Sequence, residues 1–268
     1  MESPEKSASA LQKEIEALLP GRLPRVEVYP SLGSTLDRAR ELALSGAQEG
    51  SLIVALEQTA GRGRQGRSFF SPAGTGAYLS LVLRPETLER PEDITAAAAV
   101  ATARAVETLT GERAQIKWVN DVYLRGKKVS GILTEAGFLP DGGPWATLGV
   151  GVNLQPPEGG FPAELRETVG ALKDQGDARA LRGPLIARIA AGFMNVHAGA
   201  ERGELLREYR ERDFLHGKTV DIIQGERRRQ ALVLGISDDF GLRVRVDGGE
   251  ETLRSGEVHI RAWRGDNI

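Results

Sequence analysis

Apolar residues recur at helical spacing near the start of the chain. Leu11, Ile15, Leu18 and Leu19 share one face of a segment from Ala10 to Leu19, and Pro20-Gly21 ends it. Val26 to Tyr29 reads as a short strand, Ser34 caps a helix that runs through Leu44, and Gly46 closes that helix. Ser51 to Glu57 (SLIVALE) has the composition of a buried strand, and Ala77 to Leu83 (AYLSLVL) alternates like a second. The alanine-rich run Ile94 to Leu109, with Asp93 before it and Gly111 after it, predicts a helix that can approach a sheet closely. Strand patterns follow at Gln115 to Val119, Val129 to Thr134 and Trp145 to Val152. A Pro/Gly-rich connection (QPPEGGFP) then leads to helices around Leu185 to Val196 and Glu204 to Arg212.

After Asp213 the pattern changes. Val220, Ile222, Leu232, Leu234, Leu242, Val244, Val246, Leu253, Val258 and Ile260 mark short alternating strands separated by Gly, Asp and Ser turns, as in a small closed barrel. The expected organisation is therefore one large domain of helices and strands, residues 1–213, followed by a small β domain, residues 214–268. A chain of 268 residues with 40% hydrophobic positions can bury both cores.

Charge and composition narrow the function classes. With 35 Lys and Arg against 37 Asp and Glu, the chain has a net charge of -2 and no long-range pull on nucleic acid. Arg227-Arg228-Arg229 could form a local basic patch, but from Phe214 onward nine Lys and Arg face nine Asp and Glu, which favours a solvated hairpin. The absence of cysteine removes disulfides, thiolate nucleophiles and sulfur-ligated zinc. No run approaches the roughly 20 apolar residues that span a bilayer, and the start, MESPEKSASALQKE, lacks the apolar centre of a signal peptide. Export and membrane roles are not expected. His197, His216 and His259 are too scattered for a metal cluster, and no metal-ligating set is predicted.

Several motifs fail in context. Gly61-Arg62-Gly63-Arg64-Gln65-Gly66 matches the dinucleotide fingerprint, but that pattern requires a helix to start on its last glycine. Pro72, Gly74 and Gly76 interrupt any such helix. Gly217-Lys218-Thr219 resembles the end of a phosphate loop, yet the earlier glycine it needs would sit at Arg212, so it reads as a strand entry.

What survives is the loop GRGRQGR itself, with three glycines and three arginines in seven positions. Glycine lets backbone amides approach an anion, and arginine supplies permanently charged, forked donors suited to carboxylate and phosphate. Ordering seven such residues costs on the order of 7 to 14 kcal/mol of backbone entropy, so the loop is expected to be mobile until a ligand folds it into a lid anchored by Phe69-Phe70. A second concentration, Lys117-Trp118-Val119-Asn120-Asp121 followed by Lys127-Lys128, sets charges and an amide on the rim of a sheet, where sites form.

At these residues the chain closely resembles the biotin protein ligases. The matching features are Ser34-Thr35, QTAGRGRQGR from Gln58 to Arg67, KWVNDVYLRGKKVSGILTE from Lys117, and GVGVN from Gly149 to Asn153. The resemblance implies an α+β catalytic domain of the class II synthetase kind, with a mixed or antiparallel sheet flanked by helices, and a C-terminal SH3-like barrel. It implies a two-step reaction in which biotin and ATP give biotinyl-5'-adenylate and pyrophosphate, and a lysine of a biotin carboxyl carrier protein then takes the biotinyl group. Lys128 and Arg64 are the implied catalytic cations. Ser34, Thr35, Leu36, Gln58, Arg62, Gly63, Arg64, Lys128 and Gly131 would line the biotin pocket, and Arg64, Arg67, Lys117, Asn120, Asp121 and Asn153 would face ATP and its Mg2+. A cytoplasmic location follows, and relatives often form homodimers.

The chain departs from the family pattern at two positions. Leu36 stands where the family usually has a polar residue, so any role there is through backbone or apolar contact. Val119 replaces the proline of the family's tryptophan-proline-asparagine-aspartate run. Some relatives begin with a winged-helix DNA-binding domain. Here Ser34-Thr35 already falls within the 57 residues before Gln58, so DNA binding and repressor activity are not expected. Three other readings stay open at this point: lipoate ligation by the same adenylate chemistry, a module that senses biotin without turnover, and RNA binding by the small barrel.

Overall fold

The computed structural model describes residues 3–199, 202–224, 227–254 and 257–260. Its first part runs α1 (Pro4–Leu18), β1 (Val26–Tyr29), α2 (Thr35–Leu44), β2 (Leu52–Ala55), β3 (Gly76–Leu83), α3 (Pro91–Thr110), β4 (Gln115–Lys117), β5 (Asp121–Leu124), β6 (Lys127–Phe138), β7 (Pro144–Asn153), α4 (Arg182–Gly199) and α5 (Arg202–Glu211). The seven strands form one mixed sheet in the order β1-β2-β3-β7-β6-β5-β4, parallel only between β1 and β2. Helix α2 is the crossover that a parallel pair requires.

The period of two along β3 divides the molecule. Leu79 and Leu81 face the large core, where they meet α3, α4 and α1 through residues such as Val100, Phe193 and Ile15. A smaller cluster on the opposite face unites Val82, Ile53 and Trp145 with Ala39, Leu42 and Ala43 of α2. Further along that face Ser80 pairs with Gly149 and Tyr78 with Gly151, while Gly131 of β6 also pairs with Gly151. Where α2 stops covering the sheet, the floor is thus made of glycines, and side chains from loops can descend onto it.

The sequence pattern misses β5, because Asp121 to Leu124 continues from a polar turn rather than from a turn signal. The β5-β6 hairpin turns on Arg125 (φ 51) and Gly126 (φ 75), a left-handed pair suited to the twist of the strands. Helix α1 begins six residues earlier than its apolar face suggests, with Ser3 accepting from the Lys6 amide. Helix α3 begins at Pro91, and Asp93, expected outside it, lies in its first turn and pairs with Arg202 at 2.9 Å.

The chain leaves the large sheet beside β4, where the Phe214 amide donates to the Ile116 carbonyl at 2.9 Å. β8 (Thr219–Gln224), β9 (Arg227–Ile236), β10 (Leu242–Val246), β11 (Gly249–Leu253) and β12 (Glu257–Ile260) follow as an antiparallel sheet in the order β11-β10-β9-β8-β12. Val220, Ile222, Val233, Leu242, Val244, Leu253 and Val258 fill its core. On β9 the inward phase is Ala231 and Val233, and Leu232, expected inside, is 37% exposed; the run ALVL offers apolar residues in both phases, so alternation alone could not choose. β8 begins at Thr219, so Gly217-Lys218 is a strand entry. Arg228 pairs with Asp221 and Arg229 with Glu251, which neutralises that patch.

Candidate active site

The glycine-arginine loop is built as a folded strap between β2 and β3. The Gln58 amide donates to Ser71 O (3.0 Å), Gly63 N to Arg67 O (2.7 Å) and Phe69 N to Gly61 O (2.8 Å). A Cβ on Gly61 would stand 2.4 Å from the Phe69 carbonyl, so only glycine permits this approach. Only a three-residue 3-10 turn forms, at Arg64–Gly66, and no helix starts on the last glycine. The expected mobility is countered by a tether that the sequence conceals. The Arg62 guanidinium bonds Asp37 of α2 at 2.6 Å and also Glu135 of β6. Burial acts to lower the Arg62 pKa, but the two carboxylates outweigh it and raise it, so the tether stays charged.

Beneath the strap lies a connected polar group. Ser34 caps α2 by accepting from the Leu36 amide at 3.3 Å. Gln58 Oε1 accepts from both the Thr35 amide (2.8 Å) and the Thr35 hydroxyl (3.1 Å), and Gln58 Nε2 donates to Ser71 Oγ at 3.0 Å. Ser80 Oγ donates to Thr35 Oγ1 at 2.8 Å. Ser34, Thr35, Ser71 and Ser80 are all buried. Leu36 is buried against Gly149, where a Cβ would lie 2.7 Å from its side chain, which agrees with a purely apolar role.

A second group comes from the turn between β4 and β5, in which the Trp118–Val119 peptide is cis. Arg64 Nη1 donates to Asn120 Oδ1 at 3.1 Å, and Asn120 Nδ2 donates to the Ile132 carbonyl at 2.7 Å. Lys128 Nζ lies 2.6 Å from Asp121 Oδ1, an ion pair without hydrogen-bond geometry, since that oxygen is buried and has no hydrogen-bond partner. The two cations expected to act together are thus held by adjacent residues of one turn.

These groups line two neighbouring cavities. Ser34, Thr35, Leu36, Gln58, Arg62, Gly63, Arg64, Asn120 and Gly131 line the first. Asn153 lies in the second, with Phe70, Ser130, Phe161, Leu165, Thr168 and Val169. Arg67, Ser68, Phe69, Lys117, Asp121 and Lys128 belong to both and form the wall where the cavities meet. Every residue that the resemblance assigns to the biotin or ATP site therefore sits on one cavity or the other, although Arg64 and Asn120, also expected to face ATP, line only the first. Lys117 Nζ lies 6.0 Å from the Tyr123 ring centroid.

Sequence reasoning leaves out several residues that line the cavities or support those that do. Phe69, expected only as an anchor, lays its ring on the glycine floor, where a Cβ on Gly151 would stand 2.4 Å from it and one on Gly131 3.2 Å. Ser80, the one polar residue in AYLSLVL, carried a signal that could have been used. Asp37 and Glu135, which tether Arg62, and Val258, which reaches the first cavity from the C-terminal sheet, carried none. His197, stacked on Phe193, and His216, which adjoins Gly235, stay outside both cavities, and the His259 side chain lies outside the described residues. Among the described residues no group of three His, Asp or Glu could hold a metal ion by itself, and no helix is long and apolar enough to cross a membrane.

Chemically, the arrangement suits two anionic ligands brought end to end. Each cavity is open to one such ligand, and the wall they share carries Lys128, Lys117 and Arg67. Residues 28–151 match the biotin/lipoate A/B protein ligase family. The bifunctional ligase/repressor BirA of Bacillus subtilis is 37% identical over 247 residues, covering 85% of this chain and 72% of that protein. A biotin--[acetyl-CoA-carboxylase] ligase of Paracoccus denitrificans is 32% identical over 82% of this chain and 95% of its own. Among solved structures, the biotin protein ligase from Aquifex aeolicus in complex with biotin and ATP superposes with a TM-score of 0.72 at 27% identity, covering 89% of this chain and 99% of that one.

Proposed function

Because this chain belongs to the biotin protein ligases of the biotin/lipoate A/B protein ligase family, we propose that its two cavities are the biotin and ATP sites of one adenylating centre. The chain is a biotin--[acetyl-CoA-carboxylase] ligase. In the first step a biotin carboxylate oxygen attacks the α-phosphorus of ATP. The bond to the bridging oxygen breaks, and pyrophosphate leaves with that electron pair. In the second, a neutral carrier lysine attacks the carbonyl carbon of biotinyl-5'-adenylate, the C–O bond to the phosphate breaks, AMP leaves with that electron pair, and the nitrogen releases a proton to solvent as the amide forms.

The observation that carries the assignment of sites is the shared wall. Biotin would lie on the floor of Gly131 and Gly151 with its ureido group toward Thr35 and Gln58, whose amide and hydroxyls supply both donors and acceptors. Its carboxylate would then end at Lys128 and Arg64. Adenine would occupy the second cavity beside Phe70 and Phe161, with Asn153 at its edge, so that the α-phosphate reaches the same wall. Arg67, Lys117 and Lys128 offset the repulsion between carboxylate and phosphate and stabilise charge gathering on the phosphoryl oxygens. Asp121, whose Oδ1 lies at the wall paired with Lys128 but accepts no hydrogen bond, would be the protein ligand of a Mg2+ arriving on the phosphates; the ion would supply further neutralisation of phosphate charge. The adenylate is a mixed anhydride, and the strap tethered by Arg62 shields it from water. The need for ATP and a carrier domain supports a cytoplasmic location.

Lipoate ligation is disfavoured because a dithiolane ring has no N–H donor or carbonyl acceptor to match the polar cluster of Gln58, Thr35 and Ser71. The test measures pyrophosphate release and transfer of labelled biotin to a carrier domain. Release requiring biotin and MgATP together, with no transfer of lipoate, is expected. Release that proceeds without biotin, or equal transfer of lipoate, contradicts the reading.

A further inference from the structure

Helix α5 carries a buried hydroxyl to which none of the motifs points. Tyr209 is fully buried, at 0% exposure, and its hydroxyl donates to the Val119 carbonyl at 2.9 Å. Val119 immediately precedes Asn120 and Asp121, so this bond fixes the backbone of the turn that presents them. One residue earlier, Trp118 Nε1 donates to the Phe240 carbonyl at 2.8 Å. Phe240 belongs to the turn between β9 and β10, and its ring meets the Tyr209 ring edge-on at 5.5 Å. Arg202 lies over the Phe240 ring at 5.2 Å while it pairs with Asp93 of α3. Neither Tyr209 nor Phe240 lines a cavity. Burial pushes the Tyr209 phenol well above its ordinary value, with Asp213 and Asp121 adding to the shift, so it remains a donor throughout the working pH range.

We infer that Tyr209 is a positioning residue for the adenylation step: it holds the turn so that Asn120 meets Arg64 and Asp121 meets Lys128, and Phe240 makes the C-terminal sheet part of that support. The inference rests on the reading of the two cavities as biotin and ATP sites. Its effect is transmitted through the backbone at Val119. Removing the hydroxyl leaves a carbonyl without its partner beside the two residues that orient the cations, while the ureido-binding end at Thr35 and Gln58 is untouched.

Tyr209→Phe keeps the ring and its contact with Phe240, so the fold is retained. In steady-state assays, kcat for biotin-dependent pyrophosphate release is expected to fall by about fivefold to a hundredfold, with Kd for biotin within about twofold of the parent. Amide exchange should quicken at residues 118–121 and stay unchanged in β2 and β3. Unchanged kcat together with unchanged or uniformly faster exchange would overturn the inference. If the parent protein itself releases no biotin-dependent pyrophosphate, the reading of the cavities fails instead, and local exchange at 118–121 still decides whether Tyr209 holds the turn.

Discussion

Replacing Lys128 with alanine is expected to slow adenylate formation by about 100-fold to 1000-fold, the scale for loss of one preorganised cationic donor. Two effects act in the same direction. The ammonium is one of the groups on the wall shared by both cavities, so its loss leaves developing phosphoryl charge without a partner. It also neutralises Asp121 at 2.6 Å, so the variant leaves a half-buried carboxylate unpaired and facing two anionic substrates. Single-turnover pyrophosphate release measures the effect, and thermal unfolding in the same buffer separates it from misfolding. A fall of less than tenfold in a well-folded variant would remove Lys128 from the chemistry. Lys128→Arg should recover only part of the rate, because a planar fork cannot occupy the same point between Asp121 and the ligands.

Gly151→Val is expected to weaken biotin binding by about 10-fold to 100-fold through overpacking. A single Cβ at this position would stand 2.4 Å from the Phe69 ring, far inside contact distance, and the floor cannot drop because Gly151 is paired on both sides, with Tyr78 and Gly131. The Phe69 ring and the strap behind it must therefore rise. Calorimetric titration with biotin gives the affinity, and thermal unfolding should show a stability loss of about 1–3 kcal/mol. Adding Phe69→Ala relieves the clash, so stability should return while biotin affinity stays low. Recovery of full affinity in the double variant would mean that the glycine floor serves Phe69 alone and not the ligand.

Most of the elements and nearly all of the proposed site were legible because they rest on short-range signals. Glycine and arginine alternating in seven positions mark the strap, and a capping Ser34 marks the start of α2. Hidden features depend on contacts between distant stretches. The tether of Arg62 joins residues 25 and 73 positions away, and nothing in the local pattern pairs them. That tether holds Arg62 of the strap against α2 and β6, a restraint that the loop's composition does not announce. Tyr209 reads in the sequence as one apolar position on an amphipathic helix, and its role follows only from where α5 docks. Strand β5 escaped because the left-handed turn that follows it has Arg125, rather than asparagine or glycine, at its first position, before Gly126. The inward phase of β9 was undecidable within ALVL until its pairing with β10 was set.

A single adenylating centre requires Arg64 and Lys128, held by the neighbouring Asn120 and Asp121, to serve the same pair of ligands. A crystal structure of this protein with biotin and a non-hydrolysable ATP analogue tests it directly. The biotin carboxylate and the α-phosphate should meet at the shared wall, with Lys128 and Arg64 each within hydrogen-bond distance of one of them. Ligands seated elsewhere, or a carboxylate and phosphate that meet with Lys128 still on Asp121 and Arg64 still on Asn120, would contradict it.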